Sequence, residues 1–197
     1  MSEVTARTHA RVAKLDDSNI TLRLMGRPDE AQVLAFARAM PEHELLFLRR
    51  DITQTKVVKA WLDEIEAGNL VSMLALRDDR IEGCATVVRD SLSWSKHVGE
   101  IRVIVSSAMR GKGLGRLLIQ EGFAIALGLG LEKLTAQMTI DQRGAIEIFE
   151  ELGFRGEALL RDHVKDHAGK KYDVVILSHD VARFQAQHEA FGVSEAF

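Results

Sequence analysis

The sequence predicts an α/β domain of mixed α+β character, with a mostly antiparallel sheet of about seven strands flanked by helices. Three observations lead there. Apolar periodicities follow one another as one strand, two helices, three strands, a helix, a strand, a helix and two strands. Short turns join the three central strands, which makes an antiparallel meander. The 197 residues hold only two prolines, no repeat and no low-complexity linker, as expected of one domain with a substantial core.

In chain order, residues 1–19 are polar and charged, lack the apolar core of a signal segment, and are expected to form an arm. Ile20 to Met25 reads as the first strand. Pro28 before Asp29 and Glu30 opens a helix that runs to about Met40 and stops at Pro41. Glu42 to Asp51 is a loop or short turn. Thr53 is placed to cap a second helix through Trp61, Leu62 and Ile65, closed by Gly68 and Asn69. Leu70 to Leu76 and Ile81 to Arg89 are strands joined at Asp78-Asp79, and Ser91 to Lys96 turns into the strand carrying Glu100. Leu114, Leu117, Leu118, Phe123 and Ile125 mark a helix ending around Gly128 to Gly130. Leu131 to Thr139 is the next strand, and Asp141 is expected to cap the helix after it. Phe154 to Lys165 and Lys171 to Ser178 form a hairpin around His167-Ala168-Gly169. The domain is expected to span 20–180, with a helical tail over 181–197.

Charge is mixed, with 26 Lys plus Arg against 29 Asp plus Glu, so no global field recommends nucleic acid or an anionic membrane as partner. A single cysteine, Cys84, excludes an internal disulfide and fits a reducing compartment. No stretch approaches the roughly 20 apolar residues that span a bilayer. A cytoplasmic protein is expected.

The most informative segment is Val98 to Arg116, where an alternating strand meets a glycine-rich turn that opens into a helix. A helix N-terminus leaves its first amides unpaired and carries positive partial charge, and glycines let the backbone approach a phosphate. The expected ligand therefore carries a pyrophosphate. A nucleoside triphosphate loop fails, because Lys112 is followed by Gly113 rather than Ser or Thr. A dinucleotide fingerprint fails too, because Arg116 stands where its third glycine is needed. What remains is Arg110-x-x-Gly113-x-Gly115. Such a turn can be plain architecture, but a second motif argues for function: Gln142-Arg-Gly-Ala145-Ile-Glu-Ile-Phe149-Glu-Glu-Leu-Gly153-Phe154.

Together the two segments resemble the signatures of the GNAT superfamily of N-acetyltransferases, Arg-x-x-Gly-x-Gly and Asn-x-x-Ala-x-x-x-Tyr-x-x-x-Gly-Phe, and the element order from about residue 20 to 179 is similar to that family's. The resemblance implies a sheet splayed at an acetyl-CoA site. Backbone amides of Ile104, Val105 and Ser106 would hold the pantetheine and thioester. Arg110, Gly111, Lys112, Gly113, Leu114, Gly115 and Arg116 would hold the pyrophosphate, and Gln142, Ala145 and Phe149 would complete the cofactor site. It further implies acetyl transfer to a primary amine by direct attack in a ternary complex, with Glu100 as general base. Homodimerisation is a further expectation of the family. Two departures stand out: Gln142 replaces the usual asparagine, and Phe149 replaces the usual acid, a tyrosine. Tyr172, the only tyrosine, is then a candidate acid, or simply a half-buried strand aromatic. Glu100 could equally form an ion pair with Arg102. The rival reading is a catalytically silent acyl-CoA-binding module, motivated by Phe149.

Other conspicuous residues weigh less. Asp162-His163 and Asp166-His167 flank a turn without a convincing third metal ligand, and no metal site is expected. Cys84 lies in an apolar strand and reads as core rather than nucleophile. Glu42, His43, Glu44, Phe47, Arg49 and Arg50 stand where this family often borders its acceptor pocket, or form a solvated loop. Trp94 and His97 could line the same cleft, or pack on the hairpin surface.

Overall fold

The computed structural model describes residues 10–15 and 18–181. Its elements are β1 (Arg11–Leu15), β2 (Ser18–Leu24), α1 (Glu30–Ala39), α2 (Thr55–Glu66), β3 (Leu70–Arg77), β4 (Arg80–Val88), β5 (Val98–Val105), α3 (Leu114–Gly128), β6 (Lys133–Thr139), α4 (Arg143–Glu151), β7 (Arg155–Lys165) and β8 (Lys171–Asp180). One eight-stranded sheet has the order β1-β2-β3-β4-β5-β6-β8-β7, and every pair is antiparallel except β5 with β6. β1 lies ahead of the first strand expected from the sequence and adds an edge. Beyond Val181 the expected helical tail falls outside the described residues.

The central strands are buried on both faces, as their near-continuous apolar runs require. Met73, Ala75, Ala85, Val87 and Ile101 face α3 and α4, where Leu114, Leu118, Ile125, Phe149 and Phe154 complete a core. Leu74, Leu76, Ile81 and Cys84 face α1 and α2, against Val33, Val58 and Leu62. The two-residue turn between β3 and β4 puts Asp78 and Asp79 at φ 50° and 59°, the left-handed pair that matches hairpin twist.

Two expected caps differ. α2 begins after Gln54, and Asp51 rather than Thr53 organises the turn, its Oδ1 accepting from the Thr53 amide at 3.0 Å. α4 begins after Gln142, whose Oε1 accepts from the Thr139 amide at 3.2 Å. Asp141 instead places its Oδ2 2.8 Å from His43 Nε2.

Candidate active site

The parallel pairing of β5 with β6 stops after three positions, Val98–Glu100 against Lys133–Thr135. Beyond Glu100, β5 stays on β4 as far as Val105, while β6 stays on β8 as far as Thr139. The two strands therefore part into a wedge. Antiparallel pairing alternates backbone groups between neighbours, and the Ser106 amide donates to the Glu82 carbonyl at 2.8 Å. Even-numbered residues of β5 thus turn their amides to β4. The Gly99 carbonyl accepts from Thr135 Oγ1 at 3.3 Å on the other side, so the odd-numbered Ile101, Val103 and Val105 face the wedge. Of the three amides expected to serve a ligand, those of Ile104 and Ser106 are spent on β4. Val105 remains and Val103 joins it. The Ser106 hydroxyl is also committed, donating to the buried Glu82 carboxylate, which Arg77 holds at 2.8 Å.

At the end of β5 the chain passes Met109, fully buried, and enters the glycine loop. Gly113 adopts φ 82° as N-cap of α3, a conformation that a side chain would strain. The first helical bond runs from the Leu117 amide to the Gly113 carbonyl at 3.1 Å, so the amides of Leu114, Gly115 and Arg116 have no helical acceptor. Leu114 contributes only this backbone, because its side chain is wholly buried in the core. A cavity of about 730 Å³ fills the wedge and reaches this helix end, lined by Arg110, Gly111, Gly113, Gly115 and Arg116. Lys112 is exposed and does not line it. Arg110 pairs with Glu44, and Arg116 with Glu151. Glu44 was expected at the border of an acceptor pocket rather than on the glycine loop, and Glu151 had no sequence signal, since both pairs join residues distant in the chain.

The second motif supplies the opposite wall. Gln142, Ala145, Ile148 and Phe149 line the cavity, and Phe149 stacks edge-on against Phe154 at 4.9 Å. Gly153, at φ 95°, brings the chain under His179, where an added Cβ would lie 2.8 Å from the imidazole Nε2. His179 sits against Phe123 and Phe154, and burial lowers its pKa. Tyr172 is outside this cavity: its hydroxyl donates to Asp166 at 2.9 Å in the β7–β8 turn, a bond that raises its pKa and makes it a weaker acid. The His43 ring lies between Tyr172, at 4.8 Å, and Asp141, whose Oδ2 is 2.8 Å from Nε2. Segment 40–47 thus covers the cavity with Met40, His43, Glu44 and Phe47.

On the opposite face of β5 lies a second cavity of about 410 Å³, walled by Arg49, Arg50, Trp61, Cys84, Arg102 and Ile104 among others. Ile104 is the wall common to both cavities. Glu100 is 8% exposed and both its oxygens are engaged: Oε1 accepts from Arg102 Nε at 2.7 Å, and Oε2 accepts from Arg102 at 3.1 Å and lies 3.3 Å from the Arg49 guanidinium in an ion pair. The ion-pair alternative for Glu100 is what the structure contains, within one strand rather than across two. Cys84 is buried and its thiol is pushed up to about 12 by desolvation, which leaves it protonated. Trp94 is 99% exposed and His97 is exposed as well, and neither lines either of these two cavities. Among the described residues no cluster of His, Cys, Asp and Glu could hold a metal ion. No described helix is long and apolar enough to cross a membrane.

The sequence profile of the "Acetyltransferase (GNAT) family" matches residues 31–154, from α1 through the second motif. The chain belongs to this family. Acetyl-CoA is the co-substrate that membership of the GNAT family brings with it. A Bacillus subtilis (strain 168) relative, provisionally named a phosphinothricin acetyltransferase, is 34% identical over 83 residues, 42% of this chain and 50% of that protein. The chain therefore spans about half the length of this curated relative. The GNAT fold is seen in an acetyltransferase from Streptococcus pneumoniae, 20% identical with TM-score 0.71, covering 82% of this chain and 99% of that one. It recurs in a Salmonella typhimurium protein, provisionally named an acetyltransferase and solved with its cofactor acetyl-CoA, at 20% identity and TM-score 0.70, covering 82% of this chain and 94% of that one.

Proposed function

We propose that this chain is an N-acetyltransferase that carries the acetyl group of acetyl-CoA to a primary amine by direct attack in a ternary complex. The observation that carries this reading is the meeting of two cavities at Ile104, one ending on the open amides of α3 and the other on the opposite face of β5. A thioester reaching along the wedge would find the Val103 and Val105 amides directed into it. An amide aimed at the thioester oxygen stabilises the charge that develops in the tetrahedral intermediate. The amine nitrogen forms its bond to the acetyl carbon, the carbon–sulfur bond breaks, and its electron pair leaves on sulfur.

The proton balance assigns no acid to Phe149, and the structure gives Tyr172 other work. Coenzyme A can leave as a thiolate, since an alkyl thiol has a pKa of about 8.5. The amine must lose a proton, and Glu100, with both oxygens held by guanidinium groups, serves this reading better as an anchor for Arg102 and Arg49 than as the base. In this reading the amine attacks as its minor neutral fraction, and the proton it sheds as the amide forms passes to the departing thiolate or to solvent.

The rival, a silent acyl-CoA-binding module, rests on Phe149 in the place of an acid. Steady-state release of coenzyme A thiol, dependent on an added amine, separates the two. Amine-dependent turnover supports the enzyme. Saturable acetyl-CoA binding with no turnover across a broad amine panel overturns it.

A further inference from the structure

We infer that the second cavity is a receptor for the oxyanion of an anionic amine, such as an amino acid or an aminoalkylphosphonate, with Arg102 and Arg49 as the residues that read it. This inference rests on the acetyltransferase reading above and names the acceptor class of the same site. Four arginines, Arg49, Arg50, Arg89 and Arg102, line the cavity with two carboxylates, Glu64 and Asp90; Arg49 and Arg102 share the Glu100 carboxylate and Arg89 Nε donates to the Gly68 carbonyl at 3.2 Å, so four cations stand against three anions. Both carboxylates have local partners: Glu64 accepts from Asn69 Nδ2 at 2.7 Å, and Asp90 from the Leu92 amide at 3.0 Å. A cationic amine with no anionic group would gain little in such a lining, whereas an oxyanion gains charge-assisted bonds.

Glu100 fixes the geometry of the receptor. Arginine is a planar fork, and the Glu100 carboxylate orients Arg102 through Nε and one terminal nitrogen while also drawing in Arg49. The Arg102 side chain is 20% exposed, so its guanidinium is largely desolvated, which strengthens its pull on an anion. The cavity closes on the apolar Trp61, Val57 and Ile52 and is sized for a small molecule. Arg102 and Ile104 point to the same face of β5, roughly 7 Å apart at two residues of strand. An acceptor held by its oxyanion at Arg102 would thus lie on the face of β5 that carries Ile104, the wall shared with the wedge. Glu100, Arg102 and Arg49 are positioning and specificity residues in this account; none touches the reacting bond.

The test is a calorimetric titration of the coenzyme A-loaded protein with two matched pairs: L-methionine against 3-(methylthio)propylamine, and 2-aminoethylphosphonate against ethylamine. In each pair the anionic member is expected to bind at least about tenfold more tightly, the worth of one hydrogen bond to a charged group. Arg102→Gln should erase the preference while coenzyme A affinity holds. Arg49→Gln, at a mostly exposed side chain, gives the same reading if Arg102→Gln fails to fold. Equal or reversed preference, or no binding by either anionic probe, overturns the inference while coenzyme A binding stands. Loss of coenzyme A binding in the unaltered chain would instead sink the acetyltransferase reading beneath it. The carboxylate and phosphonate arms show which oxyanion is taken.

Discussion

Glu44 places its carboxylate on the guanidinium of Arg110, the first residue of the glycine loop, although 66 positions of chain separate them (110 less 44). An anion already sits where the loop is proposed to take a phosphate. Pyrophosphate would have to displace it, and the same segment continues into Leu48, Arg49 and Arg50 of the neighbouring cavity. Removing the competing charge should help the cofactor. Partly exposed ion pairs are worth up to about 1 kcal/mol, so Glu44→Gln is expected to tighten acetyl-CoA binding by up to about fivefold at low salt. Calorimetry at two ionic strengths checks this; unchanged or weakened binding would show that Glu44 does not compete.

Gly115 offers the cleanest probe of the helix end. Its backbone is not strained, and a Cβ there would meet only Val105 at 3.9 Å and Ile148 at 4.0 Å, ordinary contacts. Gly115→Asp should leave the fold intact, because an acidic residue in a first helical turn is stabilising. It also sets a carboxylate beside the open amides. We expect unchanged circular dichroism and a loss of acetyl-CoA affinity of tenfold or more, about 1.4 kcal/mol. Retained affinity would remove the helix end from the cofactor site.

Gly153 is the structural half of the second motif. At φ 95°, with a would-be Cβ 2.8 Å from His179, alanine strains the backbone and displaces an imidazole packed between Phe123 and Phe154. Gly153→Ala is expected to cost about 1–3 kcal/mol in urea unfolding. A neutral substitution would mean that the turn after α4 relaxes freely.

Much of this architecture was legible because the signals are local. Pro28 and Pro41 bracket α1, the Asp78-Asp79 pair marks a hairpin, and Gly113 stands at the turn into α3. The β5–β6 wedge was anticipated only through family resemblance, since no periodicity records where two strands part. β1 escaped notice because Arg11–Leu15 is an exposed edge strand without a clean alternation. At the site, the loop and second motif were readable, but which β5 amides stay open depends on pairing phase with β4. A shift of one residue would exchange Ile104 for Val105. The role of Glu100 turned on Arg102, two residues away on the same strand face, and on Arg49, which comes from a loop.

Cys84 tests whether the smaller cavity, on the Arg102 face of β5, admits a reagent to its floor. The thiol is 3% exposed, contacts Thr86 Oγ1 at 3.7 Å, and burial pushes it up to about 12. The thiolate is the reactive form. At pH 8 the native protein should resist an aromatic disulfide reagent and release one equivalent of thiol only on unfolding. Rapid native labelling would revive Cys84 as a nucleophile for a covalent acetyl intermediate.

Asp29 carries a pH dependence whose direction is set by its partners. Arg23 donates to its two oxygens at 2.9 and 2.6 Å and holds the carboxyl below the ordinary range; burial opposes this, and the Gly26 amide at 2.9 Å assists. A carboxyl whose folded pKa is depressed adds stability above its unfolded pKa, about 3.9 for aspartate, and loses it as pH falls through the folded value. The pair ties the end of β2 to the start of α1, and Asp29 is only 6% exposed. Asp29→Asn should therefore destabilise the chain by about 2 kcal/mol at pH 7, the cost of breaking a buried charge-assisted bond. The gap between the two proteins should begin to narrow as pH drops below about 4, where the unfolded carboxyl takes up its proton, and close only as the depressed folded carboxyl does so too, when both proteins carry an uncharged side chain at this position. Urea unfolding at pH 7, 5 and 3.5 measures it, and a gap that stays constant across that range would place the energy in packing rather than in the charge.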